Sequence, residues 1–248
     1  VRIRKNKTLT VQELNQDLID QKQKRKLLLE NNRREQKKLI EEQNQKNKIL
    51  TELKKKSKNF NKQIKIKQSQ AESIDKEIQK LIRLAIASSN KKEKNKLSNV
   101  FKLTPEAKIL ADNFKANKGK LPWPVIQGVV IQKYGTQTHP IVKTTKIKST
   151  GITIASINNA KVRTVFEGQV MSILSFKNSN PTVLVKHGNY ITAYKNLSKV
   201  YVKKGQYLNS KEIIGEIFTN SQTGRTALQF SVFNAMKPEN PSFWLYNK

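Results

Sequence analysis

The sequence predicts an α+β fold, one long coiled-coil helix followed by a mainly antiparallel β domain, and three observations carry that expectation. No glycine or proline occurs before position 104, while Lys, Gln, Glu, Leu and Asn dominate, as a long uninterrupted helix requires. From Val125 onward, short β-branched runs alternate with glycine or polar turns. Between them, Thr104-Pro105-Glu106 forms a helix start and Leu121-Pro122-Trp123-Pro124 forces extended chain. The expected organisation is therefore a helical arm over 1–103, a short helix and linker over 104–121, and a β domain over 122–248.

In the arm, Val11, Leu18, Arg25, Asn32, Leu39, Lys46, Leu53 and Phe60 recur every seven residues, with Leu14, Leu28 and Ile49 three places after their neighbours. Several of these seam positions are polar, so the pattern is that of a weak coiled coil. Beyond Phe60, the residues Ile64, Lys67, Ala71, Ile74, Ile78, Leu81 and Ala85 alternate steps of four and three, a better seam. Such a stripe is not buried by one helix alone, so a partner helix is expected, either a second copy or an upstream segment. A solvated single helix held by pairs such as Glu42 with Lys46 is the alternative. Ser88 to Asn99 reads as a polar break.

The short helix has Thr104 as N-cap, Pro105 at its first position and Glu106 near the positive end of the dipole. Ala107, Leu110, Ala111 and Phe114 line one face, and Asn117-Lys118-Gly119 closes it. In the β domain, strands are expected over Val125–Ile131, Lys161–Phe166, Gln169–Leu174, Thr182–His187, Tyr190–Tyr194 and Ala227–Phe233. Trp123, Phe166, Leu184, Val185, Phe230 and Trp244 are the core candidates. The glycines read as turn residues, since no phosphate-loop pattern occurs.

Composition narrows the chemistry. Cysteine is absent and only His139 and His187 are present, which excludes disulfides and thiolate metal sites. His187 reads as a structural residue at a strand end, and His139 lies in a turn-forming stretch. The net charge of +31 is spread along the chain, about +19 in 1–121 and +12 in 122–248. Stacking aromatics are scarce in the first part, where only Phe60, Phe101 and Phe114 occur, so nucleic acid is not the expected partner. Attraction to an anionic membrane or wall polymer is a secondary role the charge allows. The chain starts at Val1 and has neither an apolar signal segment nor a run able to span a bilayer. It is expected to be a fragment or processed form, truncated upstream, with its targeting information there.

Asn117-Lys118-Gly119-Lys120-Leu121-Pro122-Trp123-Pro124-Val125, the stretch from Gly128 to Tyr134-Gly135, His139-Pro140 and Gly151-Ile152-Thr153-Ile154-Ala155 form a series of motifs. It continues through His187-Gly188-Asn189-Tyr190, Tyr194-Lys195-Asn196-Leu197-Ser198, Tyr201-Val202-Lys203-Lys204-Gly205, Ile213-Ile214-Gly215 and Asn240-Pro241-Ser242-Phe243-Trp244-Leu245. Together these resemble the LytM-type peptidase domain, a duplicated hybrid motif, of EnvC-type murein hydrolase activators, and the preceding helix fits that family's coiled coil.

Active peptidases of the wider family hold zinc through a histidine, an aspartate four residues on and the second histidine of a His-x-His strand. The resemblance places these positions at Ser149, Thr153 and Gln229, where neutral hydroxyls and an amide are poor zinc ligands. The two assisting histidines fall at Asn196 and Ala227, which shuttle no proton near neutral pH. The resemblance thus implies a pseudoenzyme with no cofactor and no metal. Its degenerate groove would be formed by Ser149, Thr153, Asn196, Ala227, Gln229 and Ser231. Phe233 stands where the family often carries a base, so Lys143, Arg225 and Phe233 are the candidate partner contacts.

The implied function is activation of a peptidoglycan (N-acetylmuramoyl-L-alanine) amidase in wall splitting at cell division. In such activators a helix ahead of the domain covers the groove, here mapped to Leu103–Asn117, until an ABC-transporter-like division complex pulls on the coiled coil. The implied location is the periplasm at the inner-membrane division machinery, with peptidoglycan as a further partner. Two other readings stay open at this point: a zinc endopeptidase of peptidoglycan with atypical ligands, and a basic coiled-coil scaffold.

Overall fold

The computed structural model describes residues 2–90, 101–139, 142, 145–175 and 179–247, and side chains from Val11 onward with Gln12 excepted. Helix α1 (Arg2–Ser89) spans the glycine- and proline-free region. The chain divides into an N-terminal unit, 1–62, and a compact unit, 63–248. Within the first unit, Leu14, Leu18, Leu28, Leu39, Ile49 and Leu53 are all more than half exposed on the single chain.

The compact unit begins with the last turns of α1, where Ile78, Ile82 and Ile86 are buried at steps of four. What they meet corrects an expectation. The partner of this seam is the β domain's own sheet, through Leu184, Ile191, Ala193 and Phe233, and not a second helix. The buried line also runs one residue beyond the expected Leu81 and Ala85, and the seam position Lys67 is exposed. The expected break falls largely on 91–100, outside the described residues. The chain resumes with Phe101, buried in the same cluster.

Helix α2 (Pro105–Ala116) begins and ends as its sequence dictates: Thr104 Oγ1 accepts from Ala107 N at 3.3 Å, and Gly119 takes the left-handed conformation at φ +81. Its Phe114 stacks on His187 and Tyr190, with centroids 4.8 and 4.9 Å away. Gly188 makes the approach possible, since a Cβ there would lie 2.3 Å from Ala107 O.

Among the described residues thirteen strands follow: β1 (Val129–Gln132), β2 (Gly135–Thr138), β3 (Lys146–Ser149), β4 (Ile152–Ala155), β5 (Lys161–Arg163), β6 (Gly168–Leu174), β7 (Thr182–His187), β8 (Tyr190–Lys195), β9 (Leu197–Val200), β10 (Tyr207–Leu208), β11 (Ile213–Ile217), β12 (Ala227–Asn234) and β13 (Lys237–Glu239). The main sheet runs β1-β4-β12-β8-β7-β6-β10, with β13 paired to β12. Smaller sheets are β5-β11-β9 and β2-β3, and every pair of strands is antiparallel. Glu216 ties β5, β9 and β11 together through Lys161, Lys199 and Tyr201.

Alternation along the strands sorts the side chains between two faces. Tyr190 and Tyr194 of β8, Val183 and Val185 of β7, and Phe230 and Val232 of β12 point into the main core, which α2 joins through Ala111 and Phe114. Ile191 and Ala193, Leu184, and Phe233 point to the other face and meet α1. The two helices thus lie on opposite faces. Of the core candidates, Leu184, Val185, Phe230 and Trp244 are fully buried, while Trp123 and Phe166 pack at the rim of the main core.

Candidate functional site

The register of the main sheet builds one polar row across five strands. Gln132 pairs with Thr153, Thr153 with Gln229, Gln229 with Lys195, and Lys195 with Thr182. Directly paired residues of an antiparallel ladder share a face, and this row lies on the face that carries Ala193 and Phe233. The next rows are Ser231 with Ala193 and Phe233 with Ile191, so the face grades from polar to apolar along α1.

Over the row, the β3–β4 turn brings Ser149, Thr150 and Gly151. Gly151 is required there, since a Cβ would sit 2.2 Å from Phe230 O and 2.3 Å from Ser231 Oγ. Helix α1 completes the enclosure with Ala71 and Asp75. The Asp75 carboxylate forms an ion pair with Lys195 Nζ and accepts from Thr150 Oγ1 at 2.8 Å. The Lys195 side chain is 7% exposed and that of Asp75 21%. The space left among Ser149, Gln229, Ser231, Lys195 and Asp75 is a cavity of about 40 Å³. That volume holds roughly two or three waters and no peptide.

Ser149, Gln229 and Ser231 therefore meet in one cavity, and Thr153 adjoins it, donating to Gln132 Oε1 at 3.2 Å. Asn196 and Ala227 are instead bound to each other: Asn196, at φ +72, donates from Nδ2 to Ala227 O at 2.7 Å and accepts from Asn180 Nδ2 at 2.6 Å. Arg225 is exposed in the loop before β12. Lys143 lies outside the described residues.

Two expectations need correction. Phe233 is fully buried under α1, so with the helix docked it offers no contact to a partner. The element over the groove is α1 at Ala71–Asp75, and not the 103–117 segment. The latter packs on the opposite face because Phe114 fits the aromatic pocket of His187, Tyr190 and Trp244.

The fit of zinc is decided by the donors. Ser149 Oγ donates its proton to Gly151 O at 2.8 Å, Thr153 donates to Gln132, and Gln229 offers a neutral amide. The Asp75 carboxylate that lines the cavity is already engaged by Lys195 Nζ and Thr150 Oγ1 and is not offered to a metal. These residues do not fit a zinc ion, and no hydrolytic step is assigned to one. Among the described residues, no group of three or more His, Cys, Asp or Glu is placed to hold a metal. His187 lies on the main-core face, where burial pushes its pKa down to about 4, with Nδ1 donating to Glu167 O at 2.6 Å.

Lys195, Thr150, Gln132 and Asp75 are the residues that sequence reasoning missed. A signal existed for Asp75: it stands four residues after Ala71 and three before Ile78, an acid on the buried stripe. Lys195 sits inside the Tyr194-Lys195-Asn196 motif and carried no mark of its own.

With this geometry in view, residues 147–241 match the model of peptidase family M23, and the domain that contains the groove is a LytM-type M23 domain. Such a domain supports a peptidoglycan-related function. The chain is similar to an uncharacterized protein of Haemophilus influenzae, 23% identical over 121 residues, which are 48% of this chain and 28% of that protein. It is also similar in structure to a zinc containing peptidase from Vibrio cholerae, at 22% identity and TM-score 0.43, covering 50% of this chain and 40% of that one. SpoIIQ in its complex with SpoIIIAH is a further neighbour, at 23% identity and TM-score 0.43, covering 49% of this chain and 97% of that one. No described helix is long and apolar enough to cross a membrane.

Proposed function

We propose that this protein is a non-catalytic activator of peptidoglycan (N-acetylmuramoyl-L-alanine) amidases, working at cell division in the periplasm through the groove of its M23 domain. One observation supports the reading: within a region that matches the M23 family, Ser149, Thr153 and Gln229, which the resemblance equates with the zinc ligands, present hydroxyls that donate their protons and a neutral amide in place of metal donors. The same groove lies beneath α1, which supports a resting state in which residues 71–86 deny it to a partner. In this reading a division complex of the ABC-transporter type draws on α1, the helix leaves the sheet, and the amidase occupies the polar row and its apolar continuation.

Dye release from labelled peptidoglycan tests it, with the chain alone and mixed with an amidase from the same organism. The reading expects no release by the chain alone, with or without added zinc, and stimulation in the mixture. Chelator-sensitive release by the chain alone would replace it with the endopeptidase reading.

A further inference from the structure

Lys195 is a cation built into the floor of the site, and among the described residues no carboxylate of the sheet pairs with it. Residues 122–248 contain four acids, Glu167, Glu212, Glu216 and Glu239. Glu216 is engaged by Lys161 and Lys199, Glu239 by Asn234 and Trp244, and Glu212 by Asn209 N. Among the described residues, the carboxylate that pairs with Lys195 comes from α1, as Asp75.

Lifting α1 would part the Lys195 ammonium from the Asp75 carboxylate and leave it open to another anion. Two hydroxyls stand beside it. Thr150 already donates to Asp75. Thr182, directly across from Lys195, has a buried Oγ1 that finds no hydrogen-bond partner among the described residues.

We propose that the groove is a carboxylate-recognition site, in which Lys195 and Thr150 receive an Asp or Glu presented by a helix of the partner protein in the place of Asp75. This rests on the reading of the groove as the partner-binding surface, and it names what that partner must carry. The floor continues from the cation into Ala193, Leu184, Ile191 and Phe233, the track that α1 fills with Ile78, Ile82 and Ile86. A complementary segment is therefore an amphipathic helix with an acid followed by apolar residues three, seven and eleven places later. A wall peptide with a free carboxylate would satisfy the ammonium and leave that apolar track bare.

The test uses the full chain carrying Ile78→Asp and Ile82→Asp to release α1. The single variant Ile82→Ala serves where the double variant does not fold. The probe is a fluorescent synthetic peptide of residues 70–87, with and without Asp75→Asn. The unmodified peptide is expected to bind, the Asp75→Asn peptide at least about tenfold more weakly, and addition of Lys195→Met to the chain should reduce that difference to within about twofold. Equal binding of the two peptides to the chain with Lys195 intact would overturn the carboxylate site and leave the groove as a helix acceptor. Binding of neither peptide would overturn the groove reading as well. Displacement of the bound peptide by a soluble wall stem peptide at comparable concentration would assign the site to peptidoglycan and overturn the helix-borne carboxylate.

Discussion

Replacing Ile82 by alanine loosens α1 from the sheet without touching the polar row. Ile82 is 0% exposed and belongs to the cluster that includes Leu184, Ile191, Ala193 and Phe233. Truncating such a side chain costs about 3 kcal/mol, within the range for buried isoleucines. When α1 lifts, residue 82 is exposed in either variant, so nearly all of that loss falls on the docking equilibrium. The open fraction should rise roughly a hundredfold. The chain has no cysteine, so Ala193→Cys supplies a single thiol beneath the helix. Its rate of modification by a thiol reagent reads the open fraction when closing outpaces labelling. Val185→Cys, equally buried but facing the main core, separates local lifting from global unfolding. Ile82→Ala should accelerate labelling at 193 and leave 185 unchanged. Rates at 193 within twofold of each other would refute the cover.

Asp75→Asn should destabilise docking by roughly 3 kcal/mol, because it leaves the Lys195 ammonium under the helix without its carboxylate. Adding Lys195→Met should recover most of that loss, and the labelling assay at 193 reads both. His187 titrates well below its ordinary range in the folded chain, to about 4, so between that value and about 6.5 the unfolded chain binds the extra proton. The stability tied to this group is full above pH 6.5 and falls toward pH 4, by up to about 1.4 kcal/mol per pH unit. Urea midpoints should show that slope, and His187→Asn should flatten it between pH 6.5 and 5. Wild-type chain should hold less than a tenth of an equivalent of zinc after dialysis. The combination Ser149→His, Thr153→Asp, Gln229→His and Lys195→Gln should bind about one equivalent, as restored ligands demand.

Much of the fold was legible because its signals are local. The absence of Gly and Pro wrote α1, and Thr104, Pro105 and Gly119 fixed both ends of α2. Strands β7, β8 and β12 were readable from their β-branched runs, to within one residue at each end. Strands β2 and β3, Gly135–Thr138 and Lys146–Ser149, were missed because they are polar and half-exposed on both sides, with no apolar alternation to mark them.

The groove was legible in part. Ser149, Gln229 and Ser231 do share a cavity, but Asn196 and Ala227 are occupied with each other. What covers the cavity was not readable, since an apolar stripe such as Ile78–Ile82–Ile86 is satisfied equally by a helix or a sheet. The choice between α1 and α2 depends on which sheet face each stripe reaches. Lys195 escaped notice for a related reason: its meaning lies in cross-strand register, next to Gln229 and beneath Asp75, and register is absent from the linear sequence.

In the proposed function an open groove, and not hydrolysis by this chain, drives wall cleavage. The most direct test is dye release from labelled peptidoglycan by an amidase of the same organism, with equal amounts of wild-type chain or of the chain carrying Ile78→Asp and Ile82→Asp. The opened chain should stimulate more strongly, with neither chain active alone. Stimulation no greater than wild type by a folded, opened chain, or hydrolysis by either chain without the amidase, would contradict the proposed function.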